Sequence, residues 1–203
     1  MRWVVVVPVK PAADGKTRLA GALSPSSRER LVRAMAIDTI VAAAAAEGVE
    51  RVVVVTADGP LRELLAATVE LVDEPGGGLN AAVRAGIDRA RAGDVGVAAL
   101  LGDLPALRPA DLADALSMAA AHERAVVADA DGTGTTLLTA LPGLALDPRF
   151  GAGSAAAHER AGHVRLAVPA TSTLRRDVDV ADDLAEVQRL GVGAATRAVL
   201  GVD

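Results

Sequence analysis

This chain of 203 residues predicts a three-layer α/β fold with a mostly parallel central sheet, on three observations. Strand-like apolar runs alternate with helical spacings through most of its length. Two of the runs, Trp3 to Val7 and Val95 to Leu101, are apolar without interruption, as strands buried on both faces of a parallel sheet must be. Each opens into a loop punctuated by proline or glycine that carries charge, and in open α/β sheets ligands bind beyond the carboxyl ends of the strands.

Trp3-Val4-Val5-Val6-Val7 reads as a first, central strand. The loop after it, Pro8 to Leu19, carries cations at Lys10, Lys16 and Arg18, and a basic loop at a strand's carboxyl end suits a triphosphate. Of 21 basic residues only Lys10 and Lys16 are lysines, which places both compact ammonium charges in this loop. Gly15-Lys16-Thr17 does not make a Walker A loop, because position 10 is lysine where the first glycine belongs, and no Gly-x-Gly-x-x-Gly turn is present. Ser24 as cap and Pro25 as first residue start a helix that runs to about Ala46 and ends at Gly48. Arg51 to Thr56 is a second strand. Ala57-Asp58-Gly59-Pro60 turns it into a short helix ending near Ala67, and Glu70-Leu71-Val72 is a short third strand.

Gly76, Gly77 and Gly78 then let backbone approach a ligand closely. Leu79, Ala82, Val83, Gly86, Ile87 and Ala90 mark one face of the next helix. Asn80 lies in its first turn, where the amide suits a base or sugar as well as an ordinary first-turn role. The strand from Val95 stops on Gly102-Asp103-Leu104-Pro105. An aspartate there can hold a hard cation such as Mg²⁺ through oxygen, or serve as a turn residue or cap. Pro105 and Pro109 force a turn before a helix from Pro109 to about Ala121.

Ala125 to Ala128 is a further strand. Asp129 to Thr136 is turn-rich and leads into Leu137-Leu138-Thr139. Its amides and hydroxyls suit a carboxylate or phosphate, or a plain hairpin. Phe150-Gly151-Ala152-Gly153-Ser154 precedes an alanine-rich helix that ends near Gly162. Ser154 is the expected N-cap, and the segment is a candidate seat for an acidic substrate. Val164 to Val168 reads as a strand. Asp177 and Asp179 share a face if their segment is a strand; alternatively Asp179 caps the helix from Ala181 to Leu190. A last helix spans about Gly193 to Leu200.

Composition narrows the function classes. Hydrophobic residues make up 51% of the chain but aromatics 1%, so valine, leucine and alanine must form the core. Cysteine is absent, which excludes disulfides, cysteine-ligated zinc and thiol catalysis. His158 and His163 are five apart and do not make a one-face helical zinc pair. A net charge of −5, with few rings for stacking, argues against nucleic-acid binding. No run of about 18 apolar residues suggests a membrane span, and the apolar start is too short for a signal peptide, so the expected location is cytoplasmic. One domain, 1–203, is expected. The charged and glycine-rich loops at one sheet edge have what nucleotidyl transfer needs: cations for a triphosphate, acids for a metal, and positioning rather than covalent chemistry.

Pro8-Val9-Lys10, Lys16-Thr17-Arg18-Leu19, Gly78-Leu79-Asn80, Gly102-Asp103-Leu104-Pro105, Gly132-Thr133-Gly134-Thr135, Phe150-Gly151-Ala152-Gly153-Ser154 and Asp177-Val178-Asp179 stand in the order and spacing of one family. The chain resembles the guanylyltransferases that make the phosphodiester precursor of the deazaflavin coenzyme F(420) from 2-phospho-L-lactate or phosphoenolpyruvate. The resemblance covers nearly the whole chain. It implies a nucleotidyltransferase fold of the glycosyltransferase-A type, GTP as donor, Mg²⁺ as metal and pyrophosphate as product. Phosphoenolpyruvate is the acceptor expected ahead of 2-phospho-L-lactate, and a downstream transferase would take the product. In residues, it implies that Lys10, Lys16 and Arg18 hold the GTP phosphates and that Gly78 and Asn80 lie by the guanosine. It further implies that Asp103 binds Mg²⁺, with Asp177 or Asp179 completing the site, and that Thr136, Gly151 and Ser154 hold the acceptor's carboxylate or phosphate. Three departures bear on the acceptor: Ala152 where the family form has proline, Thr136 where some members have asparagine, and no arginine before the Gly-Thr-Gly-Thr segment. The alternatives are another nucleotidyltransferase of this fold, acting on a molybdopterin or a sugar phosphate, or a non-catalytic nucleotide-binding domain.

Overall fold

The computed structural model describes residues 1–12, 24–91 and 93–201. Among them, β1 (Trp3–Pro8), β2 (Val49–Val55), β3 (Glu70–Val72), β4 (Gly96–Leu100), β5 (Arg124–Ala128), β6 (Thr135–Ala140) and β7 (Val164–Arg165) form one sheet. Its order is β3-β2-β1-β4-β6-β5-β7. The β1–β2, β1–β4, β2–β3 and β5–β7 pairs are parallel, and β6 runs antiparallel to both its neighbours. The helices are α1 (Pro25–Ala44), α2 (Gly59–Leu65), α3 (Leu79–Ala90), α4 (Pro109–Ala119), α5 (Ser154–Arg160), α6 (Ala181–Leu190) and α7 (Ala194–Leu200).

The valine run of β1 explains the layering. Val5 and Val7 face one core with Ile40 of α1, Leu61 of α2 and Leu116 of α4. Val4 and Val6 face a second core with Val83 and Ile87 of α3. A strand between two apolar layers has no polar face, hence the unbroken run. A third cluster joins Leu31 and Met35 of α1 to Val178, Val187 and Val192, and α7 also packs on α1. There the carboxylate of Asp38 accepts from the Ala195 and Thr196 N–H groups of α7, at 3.0 and 2.8 Å.

Four local expectations change. β7 is only Val164–Arg165. Asp177–Val180 is not a strand but follows a 3-10 turn at Thr173–Arg175. Ser154 is the first residue of α5, whose N-cap is Gly153 in the left-handed region at φ 69°. Asp179 does not cap α6; the Asp183 carboxylate accepts from the Asp179 and Val180 N–H groups, both at 2.8 Å. Ser24 does cap α1, accepting from Ser27 N–H at 3.2 Å.

From β1 the chain winds outward to β2 and β3, then crosses by α3 to β4 on the opposite side of β1. The order therefore reverses between β1 and β4. In open α/β sheets such a reversal of strand order is where a crevice forms at the strands' carboxyl ends.

Candidate active site

A cleft of about 750 Å³ occupies that crevice. Pro8, Val9 and Lys10 line it from the end of β1, and Leu101, Gly102 and Asp103 from the end of β4. Gly102 sits so close to β1's exit that a Cβ would lie 3.1 Å from Val9 Cγ2 and 3.2 Å from the Pro8 carbonyl. The turn after Asp103 is tied to α1, where Thr39 Oγ1 accepts from Leu104 N–H at 3.0 Å while donating to the Met35 carbonyl at 2.8 Å.

The second acidic segment reaches Asp103 through the main chain. Val178 N–H donates to the Asp103 carbonyl at 3.1 Å, and the Val178 side chain is fully buried. Asp177 and Asp179 flank that anchor. One carboxylate oxygen from each of Asp103, Asp177 and Asp179 lies within 4.8 Å of the other two. Both of the later acids thus join Asp103. Burial, with Asp103 and Asp179 nearby, pushes the Asp177 carboxyl up to about 7. The three oxygens form the hard donor set that a divalent cation such as Mg²⁺ prefers.

The opposite wall comes from the β5–β6 hairpin and the segment before α5. Asp129 shapes the hairpin turn: its carboxylate accepts from Thr133 N–H at 2.9 Å and Gly134 N–H at 2.8 Å. The Arg175 guanidinium donates to the Ala128 and Asp129 carbonyls from behind. Asp129, Asp131, Thr133 and Thr135 line the cleft, followed by Phe150, Gly151 and Ser154. Gly151 and Ser154 thus line the same cleft as Asp103, Asp177 and Asp179.

Thr136 does not line the cleft. It is fully buried, and its hydroxyl has no hydrogen-bond partner among the described residues. Its neighbour Thr135 faces the site instead, with Ser154 Oγ donating to Thr135 Oγ1 at 3.1 Å. The reason is a register shift. Val127 pairs with Leu137 but Ala128 pairs with Thr135, so Thr136 is the extra residue of a β-bulge. Sequence reasoning missed Thr135, Asp129 and Asp131. Their place in the Gly-Thr-Gly-Thr hairpin was visible, but not which way they face.

Gly76, Gly77 and Gly78 run at φ 78°, 81° and 83°, a left-handed stretch that glycine adopts without strain. It ends at the N-cap of α3. Asn80 follows in the first turn of α3, and its side-chain amide bonds both the N–H and the carbonyl of Phe150. Lys10 is exposed on the cleft wall. Lys16 and Arg18 lie outside the described residues. Asp58 holds Ala12, accepting from its N–H at 3.1 Å, and also accepts from Arg33 Nε at 2.9 Å. Burial pushes the Asp58 carboxyl up, but hydrogen bonds from Arg33, Ala12 and Leu61 outweigh that and hold it below the ordinary carboxylate range.

The charge balance of the wall is informative. Among the described lining residues, five are aspartates and Lys10 is the sole cation. Such a wall repels anionic substrates unless cations neutralise it.

Comparisons with known proteins agree with this architecture. Residues 3–201 match the family model described as "Guanylyl transferase CofC like". A phosphoenolpyruvate guanylyltransferase of Sanguibacter keddieii is 51% identical, over 98% of this chain and 84% of its own. A structure from Desulfovibrio desulfuricans G20, provisionally assigned as a nucleotide-diphospho-sugar transferase, aligns with TM-score 0.70 at 18% identity, over 99% of this chain and 95% of its own. Rv0371c of Mycobacterium tuberculosis H37Rv, in complex with manganese, aligns with TM-score 0.59 at 22% identity, over 93% of this chain and 98% of its own.

Proposed function

Since the chain belongs to the CofC-like guanylyl transferase family and is a nucleotidyltransferase, we propose that it transfers GMP from GTP to the phosphate of phosphoenolpyruvate and releases pyrophosphate. The observation that carries this reading is the convergence of Asp103, Asp177 and Asp179 in the cleft that also holds Thr135, Gly151 and Ser154. The 51% identical relative is named for the same acceptor. The step contributes one intermediate in the making of coenzyme F(420), and a downstream transferase consumes the product.

Asp103, Asp177 and Asp179 would hold Mg²⁺, which supplies charge neutralisation and polarisation of phosphate oxygens. The metal-bearing structure of Rv0371c, a protein of the same fold, is in keeping with a divalent cation here. Lys10, with Lys16 and Arg18 from the same loop, bonds the triphosphate oxygens and offsets the acidic wall. The glycine run before α3 lets the nucleotide approach backbone. Thr135 and Ser154 offer hydroxyls, and Gly151 an uncrowded backbone, to the acceptor's carboxylate or phosphate. An acceptor phosphate oxygen then attacks the α-phosphorus of GTP in line. The new O–P bond forms as the bond to the β-phosphate bridging oxygen breaks, and pyrophosphate leaves. A phosphate monoester is ionised near neutrality, its second pKa being about 6, so no general base is needed. The chain's work is positioning and charge stabilisation.

The test is pyrophosphate release by purified protein with GTP and Mg²⁺, comparing phosphoenolpyruvate with 2-phospho-L-lactate in the presence of the downstream transferase. Release with phosphoenolpyruvate is expected. Release with phospholactate alone would change the acceptor. Silence with both, while GTP binds, would favour the non-catalytic reading.

A further inference from the structure

The segment that carries Gly151 and Ser154 is held by side chains from two directions. Asn80, in the first turn of α3, accepts from Phe150 N–H through Oδ1 at 2.8 Å and donates through Nδ2 to the Phe150 carbonyl at 3.0 Å. This two-point bond spans 70 residues of sequence. From the other side, His158 of α5 accepts from Arg149 N–H through Nε2 at 2.8 Å. A backbone N–H can only donate, so Nε2 carries no proton and the neutral ring is protonated at Nδ1. That Nδ1–H points at Thr135 Oγ1, 3.0 Å away, the oxygen that also receives the Ser154 hydroxyl. One imidazole therefore fixes a loop amide and the orientation of two hydroxyls in the cleft wall.

His158 is wholly buried, and neither it nor Asn80 lines the cleft. Phe150 and His158 also meet edge to face, with centroids 5.3 Å apart. Asn80 ties the loop to the first turn of α3, next to Leu79, which lines the cleft.

We propose that Asn80 and His158 are positioning residues for the acceptor, acting through the Phe150–Ser154 loop and the Thr135 and Ser154 hydroxyls, and that Asn80 acts on the acceptor rather than on the guanine. The inference rests on the phosphoenolpyruvate reading above. Binding groups must be held to within a fraction of an ångström to be effective. Freeing the loop thus weakens acceptor binding without removing any group that touches it.

The experiment compares wild type, N80A, H158A and the double variant. Steady-state pyrophosphate release gives KM for GTP and for phosphoenolpyruvate, and hydrogen exchange reports on the Arg149 and Phe150 amides. In N80A the KM for phosphoenolpyruvate should rise about tenfold, the equivalent of one to two hydrogen bonds, while that for GTP stays within about twofold. Exchange at Phe150 should quicken. The double variant should cost less than the product of the single effects, because both free the same loop. A GTP KM that rises as much as the acceptor's would return Asn80 to the nucleotide site and overturn the proposal. Unchanged KM values with a lowered melting temperature would reduce the pair to a structural role and overturn it equally. If H158A does not fold, N80A alone decides, since Asn80 is only half-buried. If the wild type releases no pyrophosphate, the reaction reading has failed. Exchange then still judges the clamp, and unaltered protection at Phe150 in N80A would sink it.

Discussion

Three carboxylates within reach of one another repel, and Asp177 shows the consequence. Its carboxyl keeps a proton up to about pH 7, from burial and from Asp103 and Asp179, against an ordinary 3.8. A cation must displace that proton, so divalent-cation affinity should strengthen as pH rises from 6 to 8. Titration calorimetry with Mg²⁺ at the two pH values checks this, and equal affinities would place the cation away from Asp177. Asp103→Asn should lower the rate of pyrophosphate release at least about a hundredfold, the scale seen when a key electrostatic group is lost from a preorganised site. Full activity would remove Asp103 from the metal. His158 behaves in the opposite sense. Burial first, then the nearby His163 and Arg149, depress its pKa from 6.5 to about 4. The unfolded chain therefore takes up this proton at a higher pH than the folded one. Stability from this group is complete above about pH 6.5 and is lost as pH falls towards 4, by about 3 kcal/mol at most. Urea titrations at pH 7 and pH 4.5 should show a loss for wild type that shrinks in H158A.

At the scale of elements, α3 matters most because it packs on the sheet, brings Leu79 to the cleft and holds the Phe150 segment through Asn80. Its apolar stripe was evident from spacing alone, and Ala82, Val83, Gly86, Ile87 and Ala90 are all buried. Gly86 sits directly against the sheet. An added Cβ would lie 2.2 Å from Val6 Cγ1 and 2.8 Å from Val55 Cγ2. Alanine is the better helix former by about 1 kcal/mol, yet overpacking a core costs about 1–3 kcal/mol. Gly86→Ala should therefore lower the melting temperature by several degrees, as a thermal scan will show. A higher melting temperature would mean that α3 can lift off the sheet freely.

Over the whole molecule, the reversal of strand order between β1 and β4 gathers groups far apart in sequence into one cleft. The result is an acidic wall that, on the function proposed above, a cation completes. Mg²⁺ at about a hundred times its dissociation constant should stabilise the fold by about 2.7 kcal/mol, or about 5–10 °C in melting temperature for a chain of this size. Chelator should reverse the shift and D103N abolish it. A shift that survives in D103N would place the cation elsewhere. Among the described residues no helix is long and apolar enough to cross a membrane.

The sequence by itself determined the central strands and the order of its chemistry. Strands covered on both faces must be apolar throughout, so β1 and β4 announced themselves, as did the charged loops at their ends. The resemblance to the guanylyltransferases stood on motifs whose order the chain makes explicit. What tertiary structure decided was direction. Thr135 and Thr136 are adjacent on a strand, and successive side chains point to opposite faces. Only the bulge opposite Val127 and Ala128 turns the first to the cleft and buries the second. Asp177 and Asp179 were expected to share a face only as a strand. They reach one site in irregular chain because the bond from Val178 to Asp103 sets them there. Asn80 could serve a base or a backbone equally well by its chemistry, and its partner, Phe150, lies 70 residues away. Local sequence carries propensity and spacing, but which of two neighbouring groups faces a ligand depends on pairings made across the fold.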